Sequence, residues 1–326
     1  MPRNRKYYPH KSVLFLTTRT ETGLPFVSSL LMNFILWGIL ARAKEQYNIR
    51  VCHFIFMANH LHLLLVVENP EDVRLFMAFV KGESAHAVNR LLGRTQRTVW
   101  QAGYDSPVVL SPQDVMKYIC YLYLNPVTAN LVERVSDYPG VSSWEMFTAR
   151  KHKKLCKRLR RSSIHPLWQP ALSINEQRRH IAEYETLPGT KHEFELEPNA
   201  WMDCFSELKE VSKDELNARL LKDIGEKELS LADKRREEKR RVIGATTLRR
   251  ESMKKEYTPT KRSRRMICLC HDQKLRRAFI KTYRALCDKA RRVYQDWRRG
   301  ELRPRIPPGL FAPSMPTLAS ALPLFC

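Results

Sequence analysis

Two histidines two residues apart, His60 and His62, stand in the apolar stretch 56–67. Most of that stretch reads as a β-strand. Side chains of a strand alternate between its faces, so residues i and i+2 point the same way. Both imidazoles then leave one face of a sheet together, with Leu61, Leu63 and Leu65 behind them on the other. A rigid strand presenting two imidazoles is a good holder for a metal ion. A strand that merely contains two histidines is the plainer reading of the spacing. Further on, Tyr118, Tyr121 and Tyr123 precede Asn125-Pro126. Tyr121 and Asn125 are four apart, which puts them on one face of a helix. On the residues alone, these tyrosines are the edge of an amphipathic core.

The elements that must position these groups can be read in order. Residues 12–18 are rich in β-formers and predict a strand. Residues 26–48 place apolar side chains close to helical spacing. Residues 49–57 predict a second strand, and Ala58-Asn59 a turn before the histidine strand. Asn69-Pro70 ends that strand and opens a helix to about Leu92, with Glu71 and Asp72 where acids suit the helix dipole. Residues 93–97 read as a loop, and Trp100 with residues 108–110 as further β structure. The order β-α-β-β-α-β predicts an α+β fold with a ferredoxin-like (RRM-like) antiparallel sheet, helices on one face and the other face free. Ser111-Pro112-Gln113-Asp114 then signals another helix, with a capping serine and proline at its first position. The residue before a proline is pushed out of the α region, so this helix is predicted to stop or bend at Asn125.

A chain of 326 residues is long enough for about two domains. Its net charge of +23 and pI near 9.9 point to a polyanionic partner. Residues 1–150 carry 16 Lys and Arg against 11 Asp and Glu, whereas residues 151–326 carry 41 against 23. That asymmetry predicts a chemistry domain followed by a polyanion-binding one. The eight cysteines are scattered, and the opening Met-Pro-Arg-Asn-Arg-Lys lacks the apolar run of a leader. Reduced thiols and a cytoplasmic location are expected. The apolar run 30–40 is too short to span a bilayer and reads as a buried helix.

Five segments together resemble the single-tyrosine HUH transposases, and among them the REP-associated tyrosine transposases. They are Phe56-Met57-Ala58-Asn59-His60-Leu61-His62-Leu63; Val80-Lys81-Gly82 with Asn89-Arg90; Val99-Trp100-Gln101; Tyr121 to Val132 around Asn125-Pro126; and Tyr138-Pro139 with Ser142-Ser143. A lone His-x-His is weak, but five elements in order and at matching spacing over about residues 12–147 are specific. The sequence departs from the family at Ala58, where proline is usual, and at Asn130, where glycine is usual; asparagine tolerates a left-handed backbone.

The resemblance implies an HUH fold with Tyr121 as nucleophile and Tyr118 and Tyr123 as packing. It implies a divalent ion, Mg2+ or Mn2+, on His60, His62 and Asn125, polarising a scissile phosphate. A phenol ordinarily ionises near pH 10 and must lose its proton to attack. Attack gives a 5′-phosphotyrosine and a free 3′-OH, and the covalent step conserves the phosphodiester for rejoining. The implied substrate is single-stranded DNA beside a hairpin of REP type, handled by a monomer or homodimer with no membrane involved. Two other readings stand beside this one. The first is a domesticated, non-catalytic DNA-binding regulator with the same fold. The second is a metal-dependent hydrolase in which His53 joins the histidine pair and Tyr121 is structural.

Lys81 and Arg90 are candidate DNA contacts on the second helix. Of the twelve residues 150–161, eight are Lys or Arg with no acid among them, so Lys153, Lys154 and Arg158 are further candidates in a linker or a DNA-contacting helix. The chain is thus expected to divide into a catalytic domain over 1–147, a basic, proline-containing linker over 148–200, and a basic helical DNA-binding region with a proline-rich tail over 201–326. Residues 242–250 suggest a helix-turn-helix. Tyr283, Tyr294 and Trp297 could stack on bases or pack in a helix pair. Cys268, Cys270, His271 and Cys287 invite a weak zinc reading.

Overall fold

The computed structural model describes residues 5–21, 26, 29–164, 173–253, 255 and 265–316. Strands β1 (Ser12–Arg19), β2 (Ile49–Phe56), β3 (His60–Val67), β4 (Val108–Val109) and β7 (Cys268–Leu269) form one sheet in the order β2-β3-β1-β4-β7. The pairs β1–β3, β2–β3 and β1–β4 are antiparallel, whereas β7 joins β4 in parallel. With helices α1 (Leu30–Gln46) and α2 (Pro70–Leu91), the first four strands complete the expected β-α-β-β-α-β order and ferredoxin-like sheet.

Helices α1 and α2 share one face of the sheet, where Trp37 of α1 meets Phe54 of β2 with ring centroids 5.5 Å apart. Helix α3 (Pro112–Thr128) crosses the other face, starting at Ser111, whose hydroxyl accepts from the Asp114 amide. It does not stop at Asn125. It runs through Pro126 to Thr128 and ends in left-handed Asn130 (φ +54°). Pro126 has no N–H for the Leu122 carbonyl, but it falls in the last turn, so only two helical residues follow the lost bond. The amides of Ala129 and Leu131 close the end by donating to the carbonyls of Asn125 and Pro126.

A β-bulge decides what α3 meets. Val51 pairs with Leu65, but His53 pairs with Leu64, so one residue of β2 is looped out between them. Beyond the bulge the faces of β2 are exchanged relative to β3. His53 therefore joins the face of His62 and lies under α3, where its Nδ1 is 2.7 Å from the Tyr123 hydroxyl.

The stretch read as a linker is built differently. After the short α4 (Trp144–Thr148), residues 150–161 contribute β5 (Lys153–Lys157), which pairs antiparallel with β6 (Lys191–Glu195), and α5 (Ile174–Thr186) stands between them behind a Ser173/Glu176 capping box. This unit covers the outer side of α1: Phe194 of β6 packs on Trp37 at 5.5 Å. The apolar run of α1 now has its reason, since the helix is buried by the sheet on one side and a hairpin on the other. A strand pairing across more than thirty residues leaves no local periodicity, so charge alone suggested a linker or helix. The prolines at 166 and 170, and the tail beyond residue 316, lie outside the described residues.

The C-terminal region also joins this core. Helix α6 (Lys213–Glu237) lies along α3 with Leu216, Leu220 and Ile224 buried. Arg235 reaches the C-terminal end of α3 and donates to the carbonyls of Val127 and Glu133, both at 3.3 Å. Helix α7 (Ala245–Arg250) has only six residues, and the chain before it docks on the α3 terminus through Ile243 and Gly244, so no helix-turn-helix forms there. Helix α8 (Gln273–Arg298) follows β7 directly. Among the described residues no three His, Cys, Asp or Glu side chains cluster as metal ligands, which removes the zinc reading of Cys268, Cys270, His271 and Cys287. No described helix is long and apolar enough to cross a membrane.

Candidate active site

β3 delivers His60 and His62 to the α3 face side by side, with ring centroids 4.7 Å apart. Each is fixed by a neighbour. His60 Nδ1 lies 2.8 Å from Asn59 Oδ1, an atom that only accepts, so Nδ1 carries the proton and Nε2 keeps a lone pair. Asn125 Nδ2 donates to His62 Nε2 at 3.2 Å, which makes that nitrogen an acceptor; Nδ1 then donates to the Thr17 hydroxyl at 2.9 Å. Phe15 stacks on the His62 ring at 5.2 Å. Such outer partners set the tautomer of a ligating histidine.

Burial keeps both imidazoles neutral. It is the main cause that pushes His60 down to about 4, with Arg19 adding to the shift and the Asn125 amide opposing it. His62 is held well below the usual range by burial, then by His60 and Arg19. Two neutral imidazoles with Nε2 lone pairs aimed at one amide group are a donor set that fits a divalent cation, once the amide turns its oxygen inward. The sites on the expected list thus come together for His60, His62 and Asn125.

Tyr121, one helical turn before Asn125, stands beside this group. Its ring centroid is 5.5 Å from that of His62 and 6.0 Å from that of Phe15, and the residue is 49% exposed. The other two tyrosines are occupied. Tyr123 is fully buried between His53 and Ser143, and burial pushes its phenol far above the usual range. Tyr118 packs at 5.1 Å on Phe15, half-buried. His53 is turned to Tyr123 and sits opposite Leu64, not beside the pair, which argues against a three-histidine site. The Tyr138 hydroxyl donates to Phe56 O and Ser143 Oγ accepts from the Phe54 amide, tying the chain after α3 to β2.

Of the expected DNA contacts, the two on α2 are bonded to backbone carbonyls and the three in or after β5 lie apart from the site. Lys81 Nζ donates to the carbonyls of Gln101 and Gly103, and Arg90 Nε to that of Ile164. Lys153 pairs with Glu193 at 2.8 Å and Lys154 sits 4.1 Å over the Trp37 ring. With Arg158, which follows β5, they belong to the layer outside α1, across the sheet from Tyr121.

Two residues of β1 were passed over by sequence reasoning. Thr17 is the cross-strand partner of His62 and Arg19 that of His60. Thr17 demonstrably faces His62, and Arg19, two residues on, shares that face. Arg19 is exposed, and no ion pair involves it among the described residues. An exposed guanidinium beside two neutral imidazoles is placed to meet an anion brought to this face. The β1–β3 register was the missing signal.

Residues 27–121 match the family model described as "Transposase IS200 like". That span holds both histidines and ends on Tyr121. The chain is 20% identical over 140 residues to the REP-associated tyrosine transposase of Escherichia coli (strain K12), an alignment covering 43% of this chain and 81% of that protein. Among solved structures it is similar to a REP-associated tyrosine transposase bound to a REP hairpin, at 20% identity and a TM-score of 0.41, covering 46% of this chain and 87% of the other. Residues 27–121 thus resemble the IS200-like transposases, and a longer stretch of the chain resembles a REP-associated tyrosine transposase.

Proposed function

We propose that the protein cleaves and rejoins single-stranded DNA beside a REP-like hairpin through a phosphotyrosine at Tyr121. The observation that carries this reading is the exposed phenol one helical turn from Asn125, 5.5 Å from the His62 ring that Asn125 contacts. In the reaction, the Tyr121 oxygen loses its proton to solvent and bonds to the scissile phosphorus. The bond from phosphorus to the 3′ oxygen breaks, that oxygen takes a proton, and the 5′-phosphate stays on the tyrosine. Rejoining is the reverse with another 3′-OH. His60, His62 and Asn125 would hold a divalent ion, Mg2+ or Mn2+, which supplies charge stabilisation at the phosphate. Thr17 and Asn59 keep the imidazoles in the ligating tautomer. Arg19 neutralises a phosphate oxygen on the open side of the pair. All of these residues come from one copy of the chain, so no exchange of helices between copies is needed.

The test is a denaturing gel. Incubated with a hairpin-bearing single strand and Mn2+, the protein should give a covalent adduct carrying a 5′-phosphotyrosine. Tyr121→Phe should give none while still binding the DNA. Binding without adduct by the unaltered protein would instead support the non-catalytic regulator. Adduct kept in Tyr121→Phe and lost in Tyr118→Phe would reassign the nucleophile.

A further inference from the structure

Helix α8, which the site just described does not use, carries nine Lys and Arg against two Asp. Its apolar side is spent on the protein. Tyr283, Ala290, Val293 and Trp297 are buried, Tyr283 donates from its hydroxyl to the Arg5 carbonyl at 3.0 Å, and Trp297 Nε1 donates to that of Pro304 at 2.8 Å. Opposite them, Lys274, Arg277, Lys281, Arg284, Arg291 and Arg292 recur at helical spacing, and all six are exposed. At 3.6 residues per turn they fall within about 100° of arc. Only Arg291 of the six is ion-paired among the described residues, to Asp288.

We infer that this stripe is the seat of the duplex stem of the DNA hairpin, gripped through its phosphates without reading bases. The inference rests on the transposase reading above. Three observations favour a duplex. The helix has 26 residues, about 39 Å, and one turn of B-DNA is about 34 Å. Single strands need exposed aromatic platforms, but Tyr283 and Trp297 are buried in the packing of the helix and Tyr294 is half-buried. A membrane surface would take the apolar side of an amphipathic helix, and here that side already lies on Tyr7, Ile306 and Leu310.

The stripe is also tied to the chemistry. The His271 amide, just before α8, donates to both carboxylate oxygens of Asp114 at 3.2 and 3.0 Å. Asp114 stands in the first turn of α3, seven residues before Tyr121, which is about 10 Å along the helix. A stem on α8 thus has its end near the tyrosine, where the strand to be cut leaves the duplex.

The experiment compares full-length protein with the quadruple variant Lys274→Gln, Arg277→Gln, Lys281→Gln, Arg284→Gln. Affinity is titrated against salt on a stemmed hairpin and on a stemless strand with the same cleavage sequence. Each neutralised phosphate contributes about 0.9 to the slope of log affinity on log salt. The slope on the hairpin should drop by about three to four in the variant, and the two proteins should share one slope on the stemless strand. Equal slopes on the hairpin, or an equal drop on both DNAs, would overturn the inference. Circular dichroism checks that the variant is folded. Adduct formation by the unaltered protein reports the transposase reading separately, since its absence leaves the slope comparison standing.

Discussion

At the scale of single residues, the site depends on which side chains are left unengaged. Of three tyrosines on α3, Tyr123 is consumed by His53 and Ser143, Tyr118 by Phe15, and Tyr121 meets solvent. Of the cations expected at DNA, Lys81 and Arg90 are engaged by backbone carbonyls, while Arg19 lies open beside His60. Removing one preorganised charge from a reacting phosphate commonly costs about a hundredfold in rate. Arg19→Gln should therefore slow adduct formation by about that factor, with Arg19→Lys recovering part of it and thermal stability unchanged; a rate equal to the unaltered protein's would dismiss Arg19 from the site. His60, His62, Tyr121 and Asn125 were legible because their relations are local, at two residues in a strand and four in a helix. Thr17 and Arg19 were not, because their place depends on cross-strand register.

At the scale of elements, α1 and α3 are each held from two sides. Helix α1 lies between the sheet and the β5–β6 hairpin, and the approach is close. A Cβ on Gly38 would stand 2.7 Å from the Lys157 carbonyl oxygen. Gly38→Ala gains about 1 kcal/mol in helix propensity but forces backbone apart at a cost of about 1–3 kcal/mol. The net expectation is a lower midpoint in urea unfolding, and a stabilised variant would show that the hairpin moves aside freely. Helix α3 lies between the sheet and α6, with Arg235 on its Val127 carbonyl. The helix start at Ser111 was readable from capping residues. Its continuation through Pro126 was not, because the packing of α3 between the sheet and α6 outweighs the local preference of a residue before proline.

At the scale of the whole molecule, the basic C-terminal half packs against the sheet and its helices. It adds β7 to the sheet edge, lays α6 on the tyrosine helix and covers α1 with a hairpin. A protein ending at residue 147 keeps every residue of the proposed site, yet it exposes Trp37 and the apolar outer side of α3. It should aggregate or melt well below the full chain in size-exclusion and thermal measurements; a monodisperse, folded fragment with full adduct formation would refute this. For that reason the salt test above uses point substitutions on α8 and not a deletion. By itself, the sequence determined the β-α-β-β-α-β sheet, the face shared by His60 and His62 and the turn linking Tyr121 to Asn125, because periodicity and capping act over a few residues. Tertiary structure alone decided that Arg19 meets His60, that a bulge sends His53 to Tyr123, and that the basic run holds a strand. Those outcomes depend on pairing and register between segments far apart in the chain, which no local pattern encodes.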